Sequence, residues 1–210
     1  SASWVPGKFG NALFFNGNND YGRTFGYKGV TGSAARTVSL WFKTEAAGKP
    51  ILSYGAEGQG TLFALSLDET GAAVADFGEG FARGGETLAD GAWHHLAVSL
   101  PAGGSGSDAK LYLDGSMTGE SNGSTTIATS SANDLLLGSD GTSFFAGLLE
   151  DVRIYSAELS GLEIAKVHSS GMGDFNRLLV KAEGTIQITA SQPGNPEWGG
   201  IHYPASDANL

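Results

Sequence analysis

Thr37-Val-Ser-Leu-Trp-Phe-Lys43 is the stretch on which the fold is read. In an extended strand successive side chains point to opposite faces, so Val38, Leu40 and Phe42 share one side while Ser39, Trp41 and Lys43 share the other. The same period of two returns in Trp93–Leu100, where Leu96, Val98 and Leu100 oppose Trp93, His95, Ala97 and Ser99. In Lys110–Asp114, Leu111 and Leu113 oppose Tyr112. In Leu148–Tyr155, strict alternation sets Leu148, Glu150, Val152 and Ile154 against Leu149, Asp151, Arg153 and Tyr155. Alternation repeated this often, with turn signals between, predicts an antiparallel sandwich. The aliphatic faces predict a core of Leu13, Phe15, Val38, Leu40, Phe42, Leu96, Val98, Leu111, Leu113, Leu137, Val152 and Ile154.

Composition fits that reading. The chain has 210 residues, and a fold of this length buries about 70% of its unfolded surface, enough for a core without staples. Glycine contributes 33 residues, which suits many short strands joined by tight turns. The net charge is −10 with only 12 Lys and Arg, which argues against nucleic acid as a partner and against adsorption to anionic membranes. An acidic surface also disfavours anionic polysaccharides unless a cation bridges. No apolar stretch approaches the roughly 20 residues of a membrane span, so membrane insertion is not expected. Cysteine is absent, and that fits both secreted and cytosolic bacterial proteins. The sequence starts without Met or a signal peptide, and the expectation is a piece of a longer protein with flanking domains.

Seven short phrases run in one order: Gly10-Asn-Ala-Leu-Phe-Phe-Asn-Gly17, Asp20-Tyr21, Thr37–Phe42, Asp90-Gly-Ala-Trp-His-His-Leu-Ala97, Leu111-Tyr-Leu-Asp-Gly115, Leu136-Leu-Gly138 and Phe145–Tyr155. This series resembles the bacterial laminin-G-like, pentraxin-type module of the concanavalin A-like lectin/glucanase superfamily, over roughly residues 7–168. The resemblance implies an all-β fold, an antiparallel two-sheet jelly roll. It also implies a short helix after Leu159-Ser160. The residues agree: Ser160 suits an N-cap, Glu163 completes a capping box, Leu162, Ile164 and Val167 offer an apolar face, and Gly171 suits a stop. The domain is expected over residues 1–171. Residues 172–210 are expected to form a strand-bearing extension, and Gly184–Asn195 is similar to a strand-and-turn phrase of bacterial immunoglobulin-like repeats. Two readings stay open there, the truncated start of a second module and an extension packed on the sandwich.

Chemistry is sparse. Glucanases of this superfamily carry Glu-x-Asp-x-Glu on one strand, because retaining hydrolysis needs two carboxylates about 5–5.5 Å apart. No such phrase occurs, nor Gly-x-Ser-x-Gly, nor His-Glu-x-x-His. A cation is better supported. Asn16-Gly-Asn-Asn-Asp20 supplies hard oxygens of the kind Ca²⁺ takes, with Asn16, Asn18 and Asp20 as ligands. The resemblance implies that a structural Ca²⁺ ties this turn to an acidic residue on the last core strand, here Glu150 or Asp151. Pentraxin relatives hold Ca²⁺ and ligand through a Glu-Gln-Asp loop after Leu-Gly; of that loop only Asp140 is retained in type.

Sugars dock their C–H faces on flat rings beside orienting polar groups. His95 and Tyr112 fall opposite the aliphatic faces, together with Trp41 and Trp93, two family-phrase residues expected to pack under loops. Tyr54, Phe77, Phe81 and Phe144 lie in glycine-rich contexts and are expected at an exposed rim, with Asp140 beside them. The functional expectation is a non-catalytic module that binds glycan or an extracellular protein ligand, within a larger secreted or bacterial cell-surface protein. A ligandless spacer is the alternative, and an orphan glycosidase or lyase the third reading.

Overall fold

The alternating stretch Thr37–Lys43 lies within a central strand of a two-sheet sandwich, in a computed structural model that describes residues 2–169 and the backbone of 187–191. In chain order the strands are β1 (Ser3–Pro6), β2 (Asn11–Asn16), β3 (Tyr21–Phe25), β4 (Arg36–Lys43), β5 (Pro50–Gly55), β6 (Leu62–Leu67), β7 (Ala73–Asp76), β8 (Phe81–Gly84), β9 (Trp93–Leu100), β10 (Lys110–Leu113), β11 (Ser116–Thr118), β12 (Glu120–Asn122), β13 (Leu135–Leu137), β14 (Ala146–Tyr155) and β15 (Gln187–Ser191). One helix, α1, spans Gly161–Ser169. A seven-stranded sheet runs β1-β2-β14-β4-β9-β10-β11, and an eight-stranded sheet runs β12-β8-β7-β6-β5-β13-β3-β15. The pairings are antiparallel. This is the jelly-roll sandwich expected from the sequence.

The core lies between the sheets. All the residues predicted for it are buried except Leu113, which is half-buried and packs against its edge. The eight-stranded sheet answers with Leu52, Phe63, Leu65, Leu67, Leu135 and Leu137, and Phe63 makes ring contacts with Tyr54 and Phe77.

Strict alternation fails in β14. Leu149 is buried with Val152 and Ile154, whereas Leu148 is only half-buried and Glu150 faces away from the core beside Trp41. The cause is a β-bulge between Glu150 and Arg153. Glu150 pairs with Trp41 and Arg153 with Ser39, so one extra residue is accommodated and the facing of the strand flips. Asp151 carries the kink at φ 51°.

Turns and caps behave as local chemistry dictates. Leu113 pairs directly with Ser116, so Asp114-Gly115 is a two-residue hairpin loop; both residues have positive φ, the type I′ geometry that favours Asp-Gly. Asp114 accepts the His95 amide at 2.8 Å, joining this loop to the start of β9. At α1, Ser160 and Glu163 form the expected capping box, with the Ser160 amide donating to Glu163 Oε2 at 2.7 Å. Its apolar face differs from expectation: Ile164 is buried on Ala97 and Tyr112, but Leu162 is 80% exposed.

A buried arginine closes the loops at one end of the core. Arg36 donates to the carbonyls of Val30, Gly32 and Ala34 and to the Thr129 hydroxyl. Strand β15 pairs antiparallel with β3, Thr189 opposite Arg23. The expected stop at Gly171 lies outside the described residues, as does the rest of the 172–210 extension.

Candidate functional site

Each sheet has one outer face, and the two differ. The outer face of the seven-stranded sheet is covered. Ile164 and Leu159 of the helical segment pack on Ala97 and Tyr112. His168 stacks on Trp41 with ring centroids 5.2 Å apart, and Phe9 meets the same indole edge-on at 5.3 Å. His95 and Tyr112, expected to contact ligand, are therefore only 1% and 3% exposed and unavailable to one. Burial pushes the His95 imidazole down to about 4, and the neighbouring His168 adds to that direction.

The same face holds Glu150, and here the expected calcium site comes apart. One carboxylate oxygen, Oε1, accepts the Phe9 and Gly10 amides at 3.0 and 2.9 Å, and Oε2 accepts the Lys8 amide. The side chain closes the Gly7–Gly10 turn. Asp151 turns to Arg153 at 2.7 Å; burial raises its pKa in spite of that partner. The Asn16–Asp20 turn closes on itself, with Asn16 Oδ1 accepting the Asn18 amide at 2.9 Å and Asp20 Oδ2 accepting the Asn16 amide at 3.3 Å. Asn16 pairs with Ala146, four residues along β14 from Glu150, a separation of roughly 13 Å at about 3.3 Å per residue. Asn16, Asn18, Asp20, Glu150 and Asp151 thus do not fit a single Ca²⁺ site. Among the described residues no three His, Cys, Asp or Glu side chains gather as a metal cluster.

Among the described residues, the outer face of the eight-stranded sheet is open. Direct partners across the ladder set Arg23, Leu136, Ser53, Ala64, Asp76 and Phe81 in one row over β3, β13, β5, β6, β7 and β8. A trough of about 560 Å³ lies over this row from β3 to β7. One end is walled by Tyr21 and Phe144, half-buried rings tilted 39° to each other with centroids 6.3 Å apart. The Gly138–Phe145 loop holds Phe144 there: Phe145 donates its amide to Gly138 at 2.9 Å, and Ser139 is tied to Ser53 and Ser143.

Arg23, Asp134 and Asp140 are fixed in the trough. Asp134 is buried and takes Arg23 at 2.8 Å and Lys28 at 2.6 Å. The Lys28 bond leads in holding its carboxyl below the usual range, against the opposing effect of burial. Arg23 also lies over the Phe25 ring at 4.8 Å. At Asp140 burial opposes ionisation, but the Ser143 and Thr142 amides and the Thr142 hydroxyl, bonded at 2.7–2.9 Å, outweigh it and keep the pKa low.

The predicted ligand residues therefore divide. Phe144 and Asp140 line the trough, and Phe81 extends its row by one strand. Phe77 is a core residue, 0% exposed, and Tyr54 borders the trough but is only 1% exposed, its ring packed in the core, so neither is an exposed rim residue. Glycine-rich surroundings marked turns that re-enter the core, and burial pushes the Tyr54 phenol upward. Sequence reasoning missed Tyr21, Arg23, Ser53, Asp76 and Asp134. A signal existed in β3, where Tyr21, Arg23 and Phe25 alternate with buried Gly22 and Thr24.

A two-sheet antiparallel sandwich with one face under a helix and an aromatic-walled trough on the other defines a lectin-like jelly roll. The chain belongs to the concanavalin A-like lectin/glucanases superfamily, whose laminin-G-type family model matches residues 16–165. Among solved structures it is similar to domain 4 of AbnA, a GH43 extracellular arabinanase from Geobacillus stearothermophilus, in complex with arabinotriose. That likeness has TM-score 0.62 and 22% identity over 80% of this chain and 81% of that chain. The native heptameric SAP-like pentraxin from Limulus polyphemus gives TM-score 0.61 at 15% identity over 90% and 92%. Mouse laminin alpha1 chain domains LG4-5 give 0.54 at 19% over 75% and 45%. No curated protein sequence matches.

Proposed function

We propose that this chain is a non-catalytic glycan-binding module and that sugar lies in the trough over β3–β7. The carrying observation is the Tyr21–Phe144 wall beside a polar floor of Ser53, Asp76 and Asp140. Flat rings accept the apolar face of a sugar, and fixed carboxylates orient its hydroxyls. A domain similar in fold was solved with arabinotriose, which supports the sugar reading. Likeness to an extracellular arabinanase domain and to laminin supports work outside the cell, within a larger secreted or surface protein.

The absence of catalysis is part of the proposal. A general acid needs a raised pKa, and Asp134 and Asp140 are both pushed down. Asp134 is also committed to Arg23 and Lys28. Affinity for one short glycan is expected near ~1 mM, because a shallow trough leaves polar groups competing with water. Chemical-shift mapping with neutral oligosaccharides tests this: perturbations at Tyr21, Ser53, Asp140 and Phe144 are expected. Perturbations confined to the helix-covered face, or turnover of the sugar, would overturn it.

A further inference from the structure

The trough also states which glycans it selects, an inference that rests on the sugar-binding reading above. We infer that it takes a neutral oligosaccharide lying across the strands and excludes uronic and sulfated chains. Among the described residues four carboxylates line it, from Glu57, Asp76, Asp134 and Asp140, against one lining cation, Arg23. Arg23 and Lys28 both pair with Asp134, so that cluster carries one net positive charge against the three negative charges of Glu57, Asp76 and Asp140. The balance of the trough is therefore negative. The bonds received by Asp76 and by Asp140 fall on Oδ1, from Gly78 in one case and from Thr142 and Ser143 in the other. The second oxygen of each carboxylate is left to accept from sugar hydroxyls. An oxygen of that kind attracts an O–H and repels another carboxylate or sulfate. The net charge of −10 adds the same sign at longer range.

The direction of the chain follows from the ladder. The row Arg23–Leu136–Ser53–Ala64–Asp76 crosses four inter-strand steps, roughly 19 Å at about 4.8 Å each. The rings stand at the β3 end and Asp76 at the β7 end. A monosaccharide reaches one of these, and a short oligomer reaches both.

The test is a calorimetric and chemical-shift titration of the whole chain in chelator, so that no cation bridges. The probes are arabinotriose, xylotriose, cellotriose and galactotriose with their monosaccharides, and trigalacturonate as the charged match of galactotriose, with sulfated galactotriose beside it. At least one neutral trimer is expected to bind about tenfold more tightly than its monomer and than any charged probe, moving the resonances of Tyr21, Asp76 and Phe144. Asp76→Asn with Asp140→Asn is expected to narrow the gap between neutral and charged probes. Charged probes that bind in the trough as well as neutral ones would overturn this inference and leave the sugar-binding reading standing. A neutral trimer no tighter than its monomer would overturn the crosswise placement. Silence at the trough from every probe would overturn both readings.

Discussion

The two outer faces of this sandwich are built by the same alternation and end with opposite fates. On the seven-stranded sheet, Trp41, His95, Ala97 and Tyr112 point away from the core and are buried again by α1 and the Gly7–Gly10 turn. On the eight-stranded sheet, Tyr21, Arg23, Leu136 and Asp76 occupy the equivalent outward positions and stay at the surface. An outward aromatic is thus recruited to packing where a helix returns over the sheet, and stays at the surface where, among the described residues, none does. Changes on the covered side should register as lost stability. Changes on the open side should register as lost binding.

The largest effect is expected where the sheets meet, which sets the scale for both faces. Leu40→Ala should cost about 2–5 kcal/mol and Val98→Ala somewhat less, through lost burial and the cavity left behind. Denaturant unfolding measures both; changes of a few tenths would show that the core face has been misassigned.

On the covered face, Glu150→Ala strips three backbone amides of their acceptor and should cost about 2–3 kcal/mol. The fall in Tm should be the same in calcium and in chelator, since Glu150 is committed to the Gly7–Gly10 turn. A fall seen only with calcium present would restore a metal role for this residue.

His95 should give the covered face an acid sensitivity. Its folded pKa, about 4, is below the ordinary 6.5, so between these values the unfolded chain binds a proton that the folded chain refuses. Stability should therefore fall as pH drops from about 6.5 towards 4, by about 2–3 kcal/mol. His95→Gln should flatten that part of the acid limb in a series of melts from pH 7 to 4.5. An unchanged slope would mean that another group carries it.

The smallest stability effect is expected on the open face. Phe144→Ala should weaken oligosaccharide binding about tenfold while costing under about 1 kcal/mol of stability, because the ring is half-buried and meets Tyr21 at the trough wall. A large loss of Tm with binding intact would place Phe144 among the packing residues and blur the contrast between the faces.

Much of this was legible in the chain itself. Alternation in Thr37–Lys43, Trp93–Leu100 and Lys110–Leu113 determined the sandwich and which side of those strands forms the core, because a period of two leaves a strand only one aliphatic face. Ser160 with Glu163 and Asp114 with Gly115 determined a helix start and a hairpin turn, since both depend on neighbouring backbone groups alone. What lies across the fold was decided by tertiary structure. The bulge in β14 moved Leu149 into the core, and no local pattern announces an extra residue that only the partner strand reveals. The return of α1 buried His95 and Tyr112, and the Gly7–Gly10 turn, at least 140 residues away in sequence, claimed Glu150. Tyr21, Ser53 and Asp76 came to one trough because four strand pairings carried their strands there, and the Gly138–Phe145 loop brought Phe144 to them. A side chain's face is set by its own strand, but its neighbours are set by the strands it pairs with and by what folds back to cover them.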